Sequence, residues 1–204
     1  TAVSNTDGSI TSSVSANAQY GFSIVSWTGD GSSSATVGHS LGVAPEMVII
    51  KGRETTNGWS VYHKSLTSNY VVQLNSTSAQ FANSATSGGG TGTPTSSVLT
   101  FDSGSASVNN VNKNGNKFIA YCFANVPGYQ RIGSYVGNGS STGPVVVTGF
   151  KPRFILTKAS SAGGNWQIVD TQRDADDKLW PSQSYEENSA TLGGATADNI
   201  TVLN

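Results

Sequence analysis

Hydrophobic and polar residues alternate along this chain in short runs, and no run keeps the three-to-four-residue spacing of an amphipathic helix. Tyr20 to Thr28 reads Tyr-Gly-Phe-Ser-Ile-Val-Ser-Trp-Thr and stops at Gly29-Asp30-Gly31, a strand running into a turn. Val43 to Lys51 is apolar on both faces at its end, the pattern of a strand in the middle of a sheet. Trp59 to His63, Tyr70 to Leu74, Val98 to Phe101 and Lys117 to Ala124 complete a first set of strands. Ser84 to Ser97 has loop composition, and Asn109 to Asn116 reads as a polar hairpin tip. Residues 1–19 carry only Ile10 and Val14 at strand spacing, which predicts a weak edge strand or a linker.

The pattern then starts again. Gly42, Pro45, Lys51 and Trp59 recur as Gly149, Pro152, Lys158 and Trp166, each 107 residues later. Ile24, Ser26, Trp27, Gly29 and Gly31 match Ile132, Ser134, Tyr135, Gly137 and Gly139 at an offset of 108, so one residue is lost in the Ser-rich turn between the two blocks. A register held over such distances is the mark of one unit used twice. The second unit predicts strands at Arg131 to Val136, Pro144 to Thr148, Arg153 to Lys158, Trp166 to Asp170 and Ile200 to Leu203. It has no match to Lys117–Ala124, so the chain is expected to stop mid-domain, or to receive that strand from a neighbouring subunit. Val126-Pro127-Gly128 joins the units without a flexible linker, which predicts that they pack together.

Composition narrows the picture. Of 204 residues, 11% are charged, against about 25% in an ordinary soluble domain. Ser and Thr make up about a quarter of the chain, and 24 residues are Gly, which favours strands and tight turns. The recurring Val, Ile and aromatic runs distinguish it from a disordered polar chain. The formal charge of −1 with no basic block offers nothing to a phosphate backbone. No apolar run approaches the ~18 residues of a membrane helix. The single cysteine, Cys122, lies in the apolar run Phe118 to Phe123 and reads as a buried, inert thiol.

Candidate chemistry is thin. His39 and His63 are the only imidazoles, and no G-x-S-x-G elbow, P-loop or C-x-x-C motif accompanies them. Asp170, Asp174 and Asp176 sit in the one acidic cluster, and such closely spaced carboxylates are the hard oxygen ligands Ca²⁺ takes. The EF-hand spacing fails there, and a solvated loop neutralised by Arg173 and Lys178 is the competing reading. Glu186, Glu187 and Asp102 offer carboxylates for glycoside hydrolysis, but nothing in the sequence pairs them. Aromatics unrepeated between the units are the candidates for stacking on sugar rings: Trp180, Tyr185 and Tyr62. The repeated Trp59 and Trp166 suit core anchoring instead.

Gly21-Phe22-Ser23-Ile24-Val25-Ser26-Trp27-Thr28-Gly29-Asp30-Gly31, Val37 to Pro45, Met47-Val48-Ile49-Ile50-Lys51 and Tyr121 to Tyr129 resemble an uncharacterised β-rich domain. That domain occurs in structural proteins of tailed bacteriophages, especially marine and cyanobacterial ones. The likeness spans nearly the whole chain and fades over Asp174 to Asn199. It implies a virion or fibre component and a polypeptide that continues past both ends of this chain, and it brings no catalytic residues.

The expectation is an all-β protein of two similar antiparallel β-sandwich, jelly-roll-like modules in tandem. Residues 1–19 form an edge strand or linker, 20–127 the first module, and 128–204 a second module incomplete at its C-terminal end. The expected role is structural and non-enzymatic: a component of a phage virion or extracellular fibre that contributes to host-surface attachment. Its partners would be further copies of itself, other virion proteins or a cell-surface glycan, with no nucleic acid and no cofactor. The alternative is a lectin-like carbohydrate-binding module with a loop-aromatic or Ca²⁺-assisted sugar site.

Overall fold

The computed structural model describes residues 1–82, 90–101, 110–140, 142–172 and 178–184. The described chain is all-β. Its strands are β1 (Val3–Asn5), β2 (Ser12–Asn17), β3 (Phe22–Thr28), β4 (Thr36–Gly38), β5 (Met47–Gly52), β6 (Ser60–His63), β7 (Tyr70–Gln73), β8 (Phe81–Ala82), β9 (Val98–Thr100), β10 (Lys117–Phe123), β11 (Phe154–Thr157) and β12 (Gln167–Asp170). Eight of them form one antiparallel sheet in the order β1-β2-β3-β10-β5-β6-β7-β8, while β4–β9 and β11–β12 are separate two-stranded ribbons. A 3-10 turn at Ala18–Tyr20 joins β2 to β3, with Gly21 following at φ 63.

The two-faced apolar pattern of β5 has its predicted cause. This strand lies between β10 and β6, and both of its faces are covered. Val48 and Ile50 join Val14, Val25, Trp27, Phe118, Ala120 and Cys122 in the main core, which Ala35, Val37 and Leu99 close from the β4–β9 side. Trp27 stacks between Phe101 and Phe118 at centroid distances of 5.4 and 5.6 Å, each contact contributing about 0.5–1.5 kcal/mol beyond its area. On the opposite face Ile49, Val61 and Val72 meet Trp166, with Met47, Tyr121, Phe123 and Leu156 around them. The β11–β12 ribbon therefore docks on the sheet through Trp166, whose indole Nε1 donates to the carbonyl of Gln73 at 2.8 Å.

The repeat is reproduced hydrogen bond by hydrogen bond within this ribbon. β5 pairs β6 as Met47↔His63, Val48↔Tyr62, Ile49↔Val61 and Ile50↔Ser60. β11 pairs β12 as Phe154↔Asp170, Ile155↔Val169, Leu156↔Ile168 and Thr157↔Gln167, the same four pairs moved by 107. The Val61↔Val72 pair of β6 and β7 returns as the bridge Ile168↔Leu179. Even the flanking bonds return. Lys64 N to Glu46 O becomes Thr171 N to Arg153 O, and Ser76 N to Gln73 O becomes Gln183 N to Trp180 O. Trp59 N to Asn75 Oδ1 becomes Trp166 N to Ser182 Oγ.

Elsewhere the prediction fails. Arg131–Val136 and Pro144–Thr148 are not strands. Ile132 is buried, with its N–H and carbonyl bonded to the Asn125 side chain, but the rest is largely exposed, with Val136 at 87% and Val147 at 81% of full exposure. Their first-copy counterparts are β3, held along its whole length by β10, and the β4 region, held by β9. No second-copy equivalent of β9 or β10 lies among the described residues. The predicted polar tip at Asn109–Asn116 holds only at 113–115, which are exposed; Val111 and Asn112 are fully buried, and Asn109 lies outside the described residues. Asn112 Nδ2 donates to Asp30 Oδ1 at 2.7 Å and to the Ser32 carbonyl at 3.0 Å, clamping this loop to the turn after β3. Residues 1–19 hold two strands of the large sheet. They are fastened to β4 as well, through Ile10 N to the Thr36 carbonyl at 3.0 Å and Ser12 Oγ to the Gly38 carbonyl at 2.9 Å. Ile200–Leu203 lies outside the described residues.

Candidate functional site

Both repeated lysines bond loop carbonyls, Lys51 within its own hairpin and Lys158 partly across to the first copy. Lys51 Nζ donates to the carbonyls of Thr55 and Asn57 at 2.9 and 2.6 Å, closing the β5–β6 loop. Lys158 Nζ donates to Ala159 O at 2.7 Å and Thr77 O at 3.4 Å, and burial lowers its pKa. An ammonium ion satisfying loop carbonyls is a structural fastener in both copies.

The two histidines are held neutral by their surroundings. His39 is fully buried; its Nδ1 accepts from Leu41 N at 3.2 Å, so Nε2 carries the proton and donates to the Thr95 carbonyl at 3.1 Å. Burial lowers its pKa. His63 Nδ1 accepts from Ser65 N at 3.1 Å, and its pKa is lowered by burial and then by the Lys64 charge. Cys122 is buried in the main core, and desolvation pushes its thiol up to about 12. His39 and Cys122 are thus shut away from solvent in the core.

Tyr62 is half-buried against the main core. It also lines a cleft of about 200 Å³ with His63, Asn69, Tyr70, Thr91 and Thr93. The cleft forms because β6 and β7 pair side by side and the Thr67–Asn69 turn between them doubles back over their ends. Asn69 adopts the left-handed region at φ 60 there. Burial, followed by the Glu46 carboxylate, raises the Tyr62 phenol, keeping it a neutral hydrogen-bond donor. Two tyrosines with an amide and hydroxyls supply an apolar ring face beside polar groups, which a sugar can use. The volume falls below the roughly 300 Å³ of drug-sized sites, so the cleft suits a single small polar ring. Tyr70, Asn69 and Thr93 carried no sequence signal, because the β6–β7 pairing brings the first two to Tyr62 and the loop before β9, tied by Thr100 Oγ1 to the Thr93 carbonyl, brings the third.

The other candidates are not brought into this cleft. Trp180 is half-buried beside the Ile168↔Leu179 bridge, and its carbonyl accepts from Gln183 N at 2.9 Å. It occupies the place of Gln73 in the first copy. Tyr185, Asp174 and Asp176 lie outside the described residues, as do Asp102, Glu186 and Glu187. Asp170 ends β12, with Oδ1 accepting from Gln172 N at 3.0 Å. Among the described residues no group of three His, Cys, Asp or Glu side chains is placed to hold a metal ion. No helix among them is long and apolar enough to cross a membrane.

A family profile described as "Domain of unknown function (DUF7483)" matches residues 1–203. The chain belongs to this family. Neither the curated proteins nor the solved structures contain a match to it. The matched span covers both copies of the hairpin together with the large sheet, so the duplication lies inside a single DUF7483 domain.

Proposed function

We propose that this protein is a structural component of a phage virion or extracellular fibre, assembled from repeated β-modules and contributing to attachment at the host surface. The finer architecture proposed is two similar sandwich modules in tandem, 20–127 and 128–204, the second needing strands that the described residues do not supply. One observation carries the reading: the β5–β6 hairpin is built again as β11–β12 in the same register and docked on the sheet of the first copy. Modules that stack on their own repeats are a means of making long assemblies, in which each unit contacts its neighbours. Sparse charge and the burial of His39 and Cys122 in the core support a non-enzymatic role.

Negative-stain electron microscopy of native particles, labelled with antibodies to this chain, tests the proposal. Periodic labelling on an appendage or shell is the expected outcome. Label confined to unassembled protein, together with a strictly monomeric mass at high concentration, would overturn it.

The Tyr62–Tyr70 cleft favours a second reading, a small lectin-like sugar site. A glycan array run with and without chelator separates the two. Binding lost in Tyr62→Ala supports a sugar site at the cleft, whereas loss on chelation or in Trp180→Ala moves the site to the Asp170 loop. No binding to any glycan leaves the structural role alone.

A further inference from the structure

In the first copy β5 has two neighbours. β6 pairs with it from Met47 to Ile50, and β10 pairs with it from Met47 to Gly52. The last two residues of β5 are strand only because β10 reaches them, through Ile119↔Lys51 and Phe118↔Gly52. β11 ends at Thr157, the counterpart of Ile50. It is as long as the pairing with β12 requires and lacks only the part of β5 that depends on β10. β12 covers one edge of β11, and among the described residues no strand covers the other.

In the first copy β10 also holds the strand on its far side. β3 pairs with β10 at all seven positions, from Phe22↔Phe123 to Thr28↔Lys117. The second-copy segment, residues 130–136, retains the local features of its model. The turn that follows repeats the bonds of the first: Ser32 N to Asp30 Oδ1 returns as Ser140 N to Asn138 Oδ1, and Ser34 N to Ser32 Oγ as Thr142 N to Ser140 Oγ. What it lacks is a ladder, and Tyr135 and Val136 stand 56% and 87% exposed. The first part of that segment is held elsewhere, Gln130 bridging Val126 and the buried Ile132 exchanging backbone bonds with the Asn125 side chain, so the uncovered edge of β11 is the place that still matches β10's.

We infer that the edge of β11 left uncovered among the described residues is an acceptor for one added antiparallel strand whose side chains alternate as in β10. This rests on the structural reading above and names the partner: an extended segment of the type Lys-Phe-Ile-Ala-Tyr-Cys-Phe, held in the register β10 uses against β5. The β5–β10 ladder fixes that register. Phe123 faces Met47, so the last aromatic of the donor faces Phe154, which is 59% exposed. Tyr121 faces Ile49, so the donor tyrosine faces Leu156. Backbone pairing supplies the attraction, and the alternation of large and small side chains supplies the selectivity, as in other strand-addition interfaces.

The test uses the full 204-residue chain and a synthetic peptide covering 116–124, with serine in place of its cysteine. A control peptide of the same composition has its alternation shifted by one residue, which turns every side chain to the wrong face. Binding is read by fluorescence anisotropy, and its place by amide hydrogen exchange. The expected result is saturable binding, with new protection at 154–159 and none at β5. The shifted peptide should bind at least ~10-fold more weakly, and Phe154→Ala should weaken the matched peptide several-fold. Phe154 is exposed in the free chain, so this variant folds, and its unchanged melting temperature separates lost binding from lost structure. Equal binding of both peptides, or no protection at 154–159, would overturn the inference. Concentration-dependent protection of the same edge without peptide would also overturn it, by making a second copy the occupant. Strand addition is measured on purified chain and location on particles, so either can fail without the other.

Discussion

Trp27 and Tyr135 hold equivalent places in the two copies, yet Trp27 is 4% exposed between two phenylalanine rings and Tyr135 is 56% exposed. In the hairpins that follow, the contrast vanishes: β5–β6 and β11–β12 share register and flanking bonds. The difference sorts by partner rather than by local sequence. Segments whose partners lie within the hairpin are built in both copies, and segments that lean on β9 or β10 are built only in the first. A strand pattern is thus a capacity to pair, realised when a neighbouring edge supplies hydrogen bonds and a buried face.

The sharpest test of that contrast is a pair of truncations. Trp27→Ala removes a ring from the centre of the main core and is expected to cost about 3–5 kcal/mol, whereas Tyr135→Ala should stay within about 0.5 kcal/mol. Urea unfolding followed by circular dichroism reads both; comparable losses would mean that the second segment is packed after all.

Trp166→Ala comes next. It empties the seat among Ile49, Val61 and Val72 and removes one of the two bonds on the Gln73 carbonyl, leaving that from Ser76 N. The second hairpin should open more readily by about 2–4 kcal/mol. Faster amide exchange at 154–157 with unchanged exchange at 22–28 is the expected signature. Equal acceleration in both would mean that the ribbon and the sheet open as one unit.

Glycines give a finer comparison. A Cβ at Gly29 would lie 2.4 Å from the Lys113 carbonyl oxygen, while one at Gly137, its counterpart, meets nothing within 4 Å. Gly29→Ala should therefore cost about 1–3 kcal/mol, by forcing the Asp30–Asn112 clamp apart. Gly137→Ala should be neutral or stabilise by up to about 1 kcal/mol through the unfolded chain. Thermal melts of the two variants decide it.

The smallest effect expected is with pH. His39 and His63 titrate below their ordinary value of 6.5 in the folded chain, because burial opposes the charge. The unfolded chain then binds more protons below that value, so stability is fully present above about pH 6.5 and declines as pH falls from there toward the folded-state values. The His39→Gln variant should flatten the decline measured by urea titration across this window, and an unchanged slope would assign it to other groups.

Much of the fold was legible in the sequence. The six strongest strands of the first copy lie within a few residues of their predicted places, because their alternation is decided by which face each residue buries. The Pro45–Trp59 and Pro152–Trp166 spacing announced the shared hairpin for the same reason. The cleft was barely legible: Tyr62 was visible as an unrepeated aromatic, but its companions Asn69 and Tyr70 reach it only through a turn and a strand pairing. Asn112 read as polar and therefore exposed, yet it is buried because the Asp30 carboxylate and the Ser32 carbonyl satisfy its amide.

By itself, then, the sequence determined strand periods, turn positions and the 107-residue register, all of which depend on residues close along the chain or on direct identity between copies. The tertiary structure decided which strands are real. β10 lies between β3 and β5, joining segments about 95 and 70 residues before it in the chain, and no local pattern encodes that insertion. It also decided that Trp166 would cover the first copy's sheet and that 131–136 would form no strand. Both outcomes depend on which edges and faces remain free after β10 has taken its place.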